Sequence, residues 1–187
     1  MNKSLIILLL CFAVQSVTSA ENLFGLELAS PTVREQQRIH FVTLLKQYCI
    51  DTESQAKAMQ SLVKNKKFMP TEEHEDVFEQ HYAGISYAIA PDTESCTVDV
   101  MLLLDGKKLL FSLDELIMEI EKMTGFKKYQ SIEATESGIK SDTVKVIKTT
   151  FRKNGSANNM LEMVYPIEHQ DEFFMTLSYY YKDFKMK

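Results

Sequence analysis

Two cysteines, Cys49 and Cys96, constrain this 187-residue chain more than any other feature, provided that it folds outside the cytosol. The first twenty residues give the reason to expect that it does. Lys3 supplies a short positive start, Leu5 to Val14 an apolar run of signal-peptide length, and Thr18 and Ala20 the small residues that a signal peptidase requires. Cleavage is expected before Glu21, which removes the third cysteine, Cys11. In an oxidising compartment the remaining two thiols read as one disulfide, where in cytosol they would stay reduced. A bridge across so long a loop stabilises by roughly 4 kcal/mol in the chain-entropy view. The competing role, a redox or nucleophilic thiol, lacks both a CxxC partner and an activating base beside either residue.

The apolar run of the leader is shorter than the about twenty residues needed to cross a bilayer. Leu10 stands where lipidated cysteines have a small neighbour, so no lipid anchor is expected at Cys11. The expected layout is therefore residues 1–20 as signal peptide and 21–187 as a single domain, exported to the periplasm, with no membrane anchor after cleavage. Composition agrees with an ordinary globular chain: 45% of residues are apolar and 25% charged, which excludes a disordered or low-complexity protein. A net charge of -5 argues against nucleic acid as a partner, since that needs a clustered basic face.

Along the mature chain, Ser30-Pro31 has the chemistry of a helix start. Phe41, Val42, Leu45, Tyr48 and Cys49 then fall on one helical stripe, with Arg34, Gln37 and Lys46 on the other side. A second helix is predicted with Asp51 or Thr52 as its cap, Thr52 and Gln55 as a capping box, and Ala56, Met59, Leu62 and Val63 as its apolar stripe. A third is predicted to open at Pro70-Thr71, to turn Val77, Phe78 and Tyr82 inward, and to stop at Gly84. Ile85 to Ala90 reads as the first strand, and Cys96, Val98, Val100 and Leu102 alternate as the next. Asp105-Gly106 is a tight-turn signal.

Ser112 and Glu115 complete a capping box, Phe111 and Leu116 a hydrophobic staple, and Gly125 a stop, so a helix lies between them. Beyond Lys127 the chain becomes β-rich. Thr143 to Arg152, then Leu161, Met163, Tyr165 and Ile167, then Phe173, Met175, Leu177, Tyr179 and Tyr181 read as a three-stranded meander, with Pro166 ending or edging its middle strand. The fold class is α+β: a helical N-terminal half packed on an antiparallel sheet that this meander completes. No internal repeat is visible in the sequence.

A leader, a first helix ending in Phe41…Tyr48-Cys49, a second cysteine at Cys96 and a terminal meander give a layout that resembles small exported bacterial proteins of unknown function. The resemblance implies a periplasmic home and no particular activity.

Chemistry is sparse. His74 and His81, with Glu75 and Glu79, would share a face of the expected third helix, but two turns apart their backbones are separated by about 10 Å, wide for one metal ion. Glu168-His169-Gln170-Asp171-Glu172 could support acid–base work, although polar turns need no such purpose. No nucleophile elbow, phosphate loop or dinucleotide glycine pattern occurs. On the last strand, Phe174 and Tyr180 fall opposite the core set with Thr176 and Ser178 between them, a pattern suited to a binding face. The expected function is a non-enzymatic binding module for another periplasmic protein, immunity- or inhibitor-like, needing no cofactor. The alternative is a small periplasmic hydrolase or metal-dependent enzyme built on His74, His81 or His169.

Overall fold

Ser30 starts the first helix as its residue type dictates: the side chain accepts from the Val33 N–H at 3.3 Å, and Pro31 occupies the first turn. Helix α1 (Pro31–Leu44) runs without a break into a π-helical segment, Leu45–Ile50, where the Asp51 N–H donates to the Lys46 carbonyl five residues back at 2.9 Å. Phe41, Val42, Leu45, Tyr48 and Cys49 are all buried, as their spacing predicts. Gln37 is a correction. Expected on the solvent side, it is 2% exposed, because its Nε2 donates to the Ala83 carbonyl oxygen at 2.6 Å while its own carbonyl accepts from the Tyr87 hydroxyl at 3.1 Å.

The computed structural model describes residues 30–72, 74–101, 111–137, 143–153, 160–167 and 174–181. The expected leader, Leu102, the Asp105-Gly106 turn, the His169 cluster and Phe173 lie outside the described residues. Besides α1 there are helices α2 (Gln55–Lys64) and α3 (Leu113–Thr124). The strands are β1 (Met69–Pro70), β2 (Phe78–Tyr82), β3 (Ile85–Pro91), β4 (Ser95–Met101), β5 (Lys127–Ser137), β6 (Thr143–Arg152), β7 (Met160–Pro166) and β8 (Phe174–Tyr180). No helix among the described residues is long and apolar enough to cross a membrane.

The strands form one antiparallel sheet in the order β1-β2-β3-β4-β8-β7-β6-β5. It consists of two four-strand meanders, each preceded by helix and joined where β4 pairs with β8. The α+β class thus holds, with two differences. The C-terminal meander has four strands, because Lys127–Ser137 pairs along β6 although no apolar alternation announces it. The expected third helix does not exist. Thr71 does make cap-like bonds, accepting from the His74 N–H at 3.1 Å, but the chain closes a hairpin loop there, with the Thr71 N–H donating to the Val77 carbonyl. Phe78 to Tyr82, with an aromatic residue at each end, then pair with β3.

Gly84 is accordingly not a helix stop. It is the second residue of the two-residue β2–β3 turn, and Ala83 (φ 50°) and Gly84 (φ 80°) both take the left-handed conformation that a type I′ turn requires. The start of α2 also differs. Ser54 stands at its N-cap, and the Thr52 hydroxyl instead donates back to the carbonyls of Tyr48 and Cys49, closing the π segment. Helix α2 buries Ala58 and Leu62, while Val63, expected inward, is 69% exposed and Ala56 is exposed too. Helix α3 matches its signals: Ser112 accepts from the Glu115 N–H, Phe111 and Leu116 are buried, and Gly125 closes with φ 74°.

One face of the sheet packs on the helices. Register rows crossing it include Cys96–Tyr179–Leu161–Phe151 and Val98–Leu177–Met163–Thr149, all buried. The central strands β3, β4, β7 and β8 therefore read with period two, inward residues alternating with half-buried ones. Ile167, expected to continue this series, follows the end of β7 and is 40% exposed. Between helices, Arg38 of α1 pairs with Glu115 at 3.2 Å and lies 3.9 Å from the buried Glu119 of α3. The sulfurs of Cys49 and Cys96 stand at disulfide distance, with Cα atoms 5.3 Å apart, so the π segment is pinned to the centre of the sheet.

Two outcomes follow from this geometry. Ala83→Gly is expected to raise stability by about 1 kcal/mol by relieving left-handed strain, and Gly84→Ala to lower it by a similar amount, read as midpoints of denaturant unfolding. Cys49→Ser with Cys96→Ser is expected to cost about 4 kcal/mol, and the intact mass of protein purified without reductant to rise by two hydrogens on reduction; two free thiols before reduction would remove the bridge.

Candidate functional site

The face of the sheet turned away from the helices carries the second half of each strand's alternation. Across it run Ser95–Tyr180–Met160–Arg152, Thr97–Ser178–Glu162–Thr150 and Asp99–Thr176–Val164–Lys148. These residues are half-buried, in contrast with the helix-covered face. The rows meet where β4 and β8 pair, and polar side chains bond across that line: Thr97 and Ser178 hydroxyls at 3.1 Å, and the Thr176 hydroxyl donating to Asp99 Oδ1 at 2.6 Å.

Asp99 stands near the middle of the sheet, with Ala88 of β3 on one side and Thr176 of β8 on the other. Burial pushes its carboxyl up from the ordinary carboxylate range, and the Thr176 hydrogen bond opposes that shift only in part. Three further groups lie on the same face. Burial raises the Tyr180 phenol, and the negative charge of Glu162 adds to the shift. Lys148 is held above its usual value chiefly by its hydrogen bond to Glu136, with Glu162 contributing. The result is a polar surface of hydroxyls and alternating charges with Tyr180 at one end and Arg152 over the Tyr129 ring, 4.0 Å from its centre, beyond.

Tyr180 lies on this outer face, where its alternation with the core set puts it, and Met175, Leu177, Tyr179 and Tyr181 are buried on the other. Phe174 opens β8 opposite Met101, and its side chain lies outside the described residues. Asp99, Glu162 and Lys148 were not singled out by sequence. For Asp99 a signal did exist: an acidic residue at a strand centre between valines, in a run otherwise of apolar, hydroxyl and small residues.

The metal candidates do not assemble on a helix. His74 sits in the β1–β2 loop, Glu75 in the exposed turn after it, and Glu79 and His81 on the outer side of β2, opposite Ala88 and Ser86. Among the described residues no three His, Cys, Asp or Glu side chains converge on a position that could hold an ion. Glu79 shares a register row with Asp99 through Ala88, two strand spacings or about 10 Å away, and His81 lies two residues further along β2, in the row of Ser86. What the face presents is a set of acceptors, donors and an aromatic ring on a firm sheet, with the Thr176 hydroxyl bonded to the Asp99 carboxyl.

A second polar cluster joins α1 to the β2–β3 hairpin. His40 stacks on Tyr82 with centroids 4.0 Å apart and hydrogen-bonds Gln80 Oε1 at 3.1 Å. Burial lowers its pKa, so the ring is kept neutral near pH 7. It serves as a packing element here, between Tyr82 and Tyr87.

Compared with known families, curated proteins and solved structures, the chain matches none.

Because the folded Asp99 carboxyl titrates above its unfolded value, the folded state binds the proton more tightly, and stability falls as pH rises through that window. Asp99→Asn is therefore expected to raise the unfolding midpoint at pH 7, with the gain vanishing below the ordinary Asp range near pH 4. Thermal melts of both proteins from pH 3 to about pH 8 read this out; a gain that persists unchanged into acid would assign the effect to something other than ionisation.

Proposed function

We propose that this protein is an exported, non-enzymatic binding module, one domain over residues 21–187, that engages another periplasmic protein through the outer face of its sheet. The single observation that carries the reading is the row structure of that face: Tyr180, Ser178 and Thr176 beside Thr97 and Asp99, half-buried and uncovered by any described helix. A half-buried carboxylate whose ionised form is disfavoured is kept at a cost to the free protein, and groups perturbed in this way cluster at functional sites. Tyr180 adds a stiff aromatic contact among small adaptable polar groups, the mix that protein-recognition surfaces use. Support for an exported home comes from the cysteine pair at disulfide distance, which fits an oxidising compartment. The layout's resemblance to small exported bacterial proteins points to the same place, and a leader removed before Glu21 would deliver the chain there.

A photo-reactive phenylalanine analogue at position 180 of the exported protein should give one saturable cross-linked species in the envelope fraction. The same probe at Met118, exposed on the far side of α3, should not give it. Tyr180→Ala and Glu162→Ala are each expected to weaken capture about tenfold or more without changing the melting midpoint by more than a few degrees. Equal cross-linking from positions 180 and 118 would remove the face from consideration.

A further inference from the structure

The two ends of the sheet are guarded unequally. Strand β1 is two residues long and ends in Pro70, which cannot donate to an incoming strand. Strand β5 has eleven residues, no proline, and hydrogen-bonds only β6 among the described residues. Protection on β5 is confined to its start. There a bulge lies between Lys128 and Gln130, and the Lys128 N–H donates to Glu121 Oε1 at 2.8 Å. From Gln130 onward the edge is regular and exposed, with Ile132 52% exposed on the outer face.

We propose that β5 pairs with β5 of a second copy of this chain, antiparallel about a two-fold axis through Ile132. The charge pattern selects this occupant and this register. Opposed residues in a ladder share a face, and alternate residues of one strand share a face, so a two-fold normal to the sheet must pass through a residue and not between two. Placed at Ile132, it opposes Gln130 to Ala134 and Ser131 to Glu133. It also brings the Lys127–Lys128 end of each strand to the Thr135–Glu136 end of the other. Placed at Glu133, it would set two like charges against each other, and placed at Ala134 it would bring neither lysine opposite an acidic residue of the partner strand, leaving Lys127 only its own chain's Glu121. The surface is self-complementary as an isologous interface demands, and the two eight-stranded sheets become one.

Sedimentation of the purified protein should show a concentration-dependent dimer that salt weakens. Ile132→Cys meets its own copy at the axis, where opposed Cα atoms are about 4.5 to 5.5 Å apart, and should cross-link nearly completely under mild oxidation. Ala134→Cys, about 14 Å from its copy in this register, should not. Ile132→Lys should sediment as a monomer and melt like the wild-type protein diluted into its monomeric range, which separates lost pairing from lost folding. A monomer at every concentration, cross-linking at 134 equal to that at 132, or cross-linking through 132 only to a different envelope protein would each overturn the proposal.

Discussion

The pairing of β4 with β8 holds the two halves of this protein together. Every other pair of neighbouring strands is adjacent in sequence, whereas Thr97 and Ser178 meet across 81 residues. Seven register pairs form this seam, and both of its faces are committed. Toward the helices, Cys96, Val98 and Val100 oppose Tyr179, Leu177 and Met175, all buried. Away from them, hydroxyls and the Asp99 carboxyl bond across it. A slip of one residue would invert every one of these side chains, which is why so distant a pairing can still have one register. The cysteine pair acts on the same element, since Cys96 belongs to β4.

Much of this architecture was legible because its signals are local. Ser30-Pro31 and Ser112…Glu115 cap the helices they announce, and the alternation in β4, β7 and β8 names the buried residues almost without error. The failures share a cause. Thr71 offers a cap-like hydroxyl, and a hairpin loop uses it as readily as a helix does. Gln37 looks solvent-facing by residue type, but a turn carbonyl 46 residues away needed its donor. Strand β5 lacks an apolar set altogether, since an edge strand exposed on both sides needs none, and only its partner β6 reveals it. The repeated plan of helix followed by four-strand meander is a property of topology, carried by no repeated residues.

The candidate site was legible in half. Tyr180 could be placed on the outer face from parity along one strand. Asp99, Lys148 and Glu162 could not be joined to it, because they come from three other strands and strand order is not written in any of them. The metal reading failed with the helix on which it rested: a spacing of seven residues puts two histidines on one helical face but in this structure spans a loop and a strand.

The widened end of the first helix has a mechanical consequence of its own. A turn holding one extra residue sets the phase of everything after it, and here Tyr48 and Cys49 both arrive beneath the sheet. Deleting a single residue between Leu45 and Tyr48 would restore the common gait and swing the sulfur of Cys49 by about 100°. It would then miss Cys96, and the hydroxyl of Tyr48, now accepting from Asn65 at 2.6 Å, would lose the start of the next connection as well. The irregular turn thus sets the angle at which the helix presents its last residues to the sheet, and with it which sulfur meets Cys96.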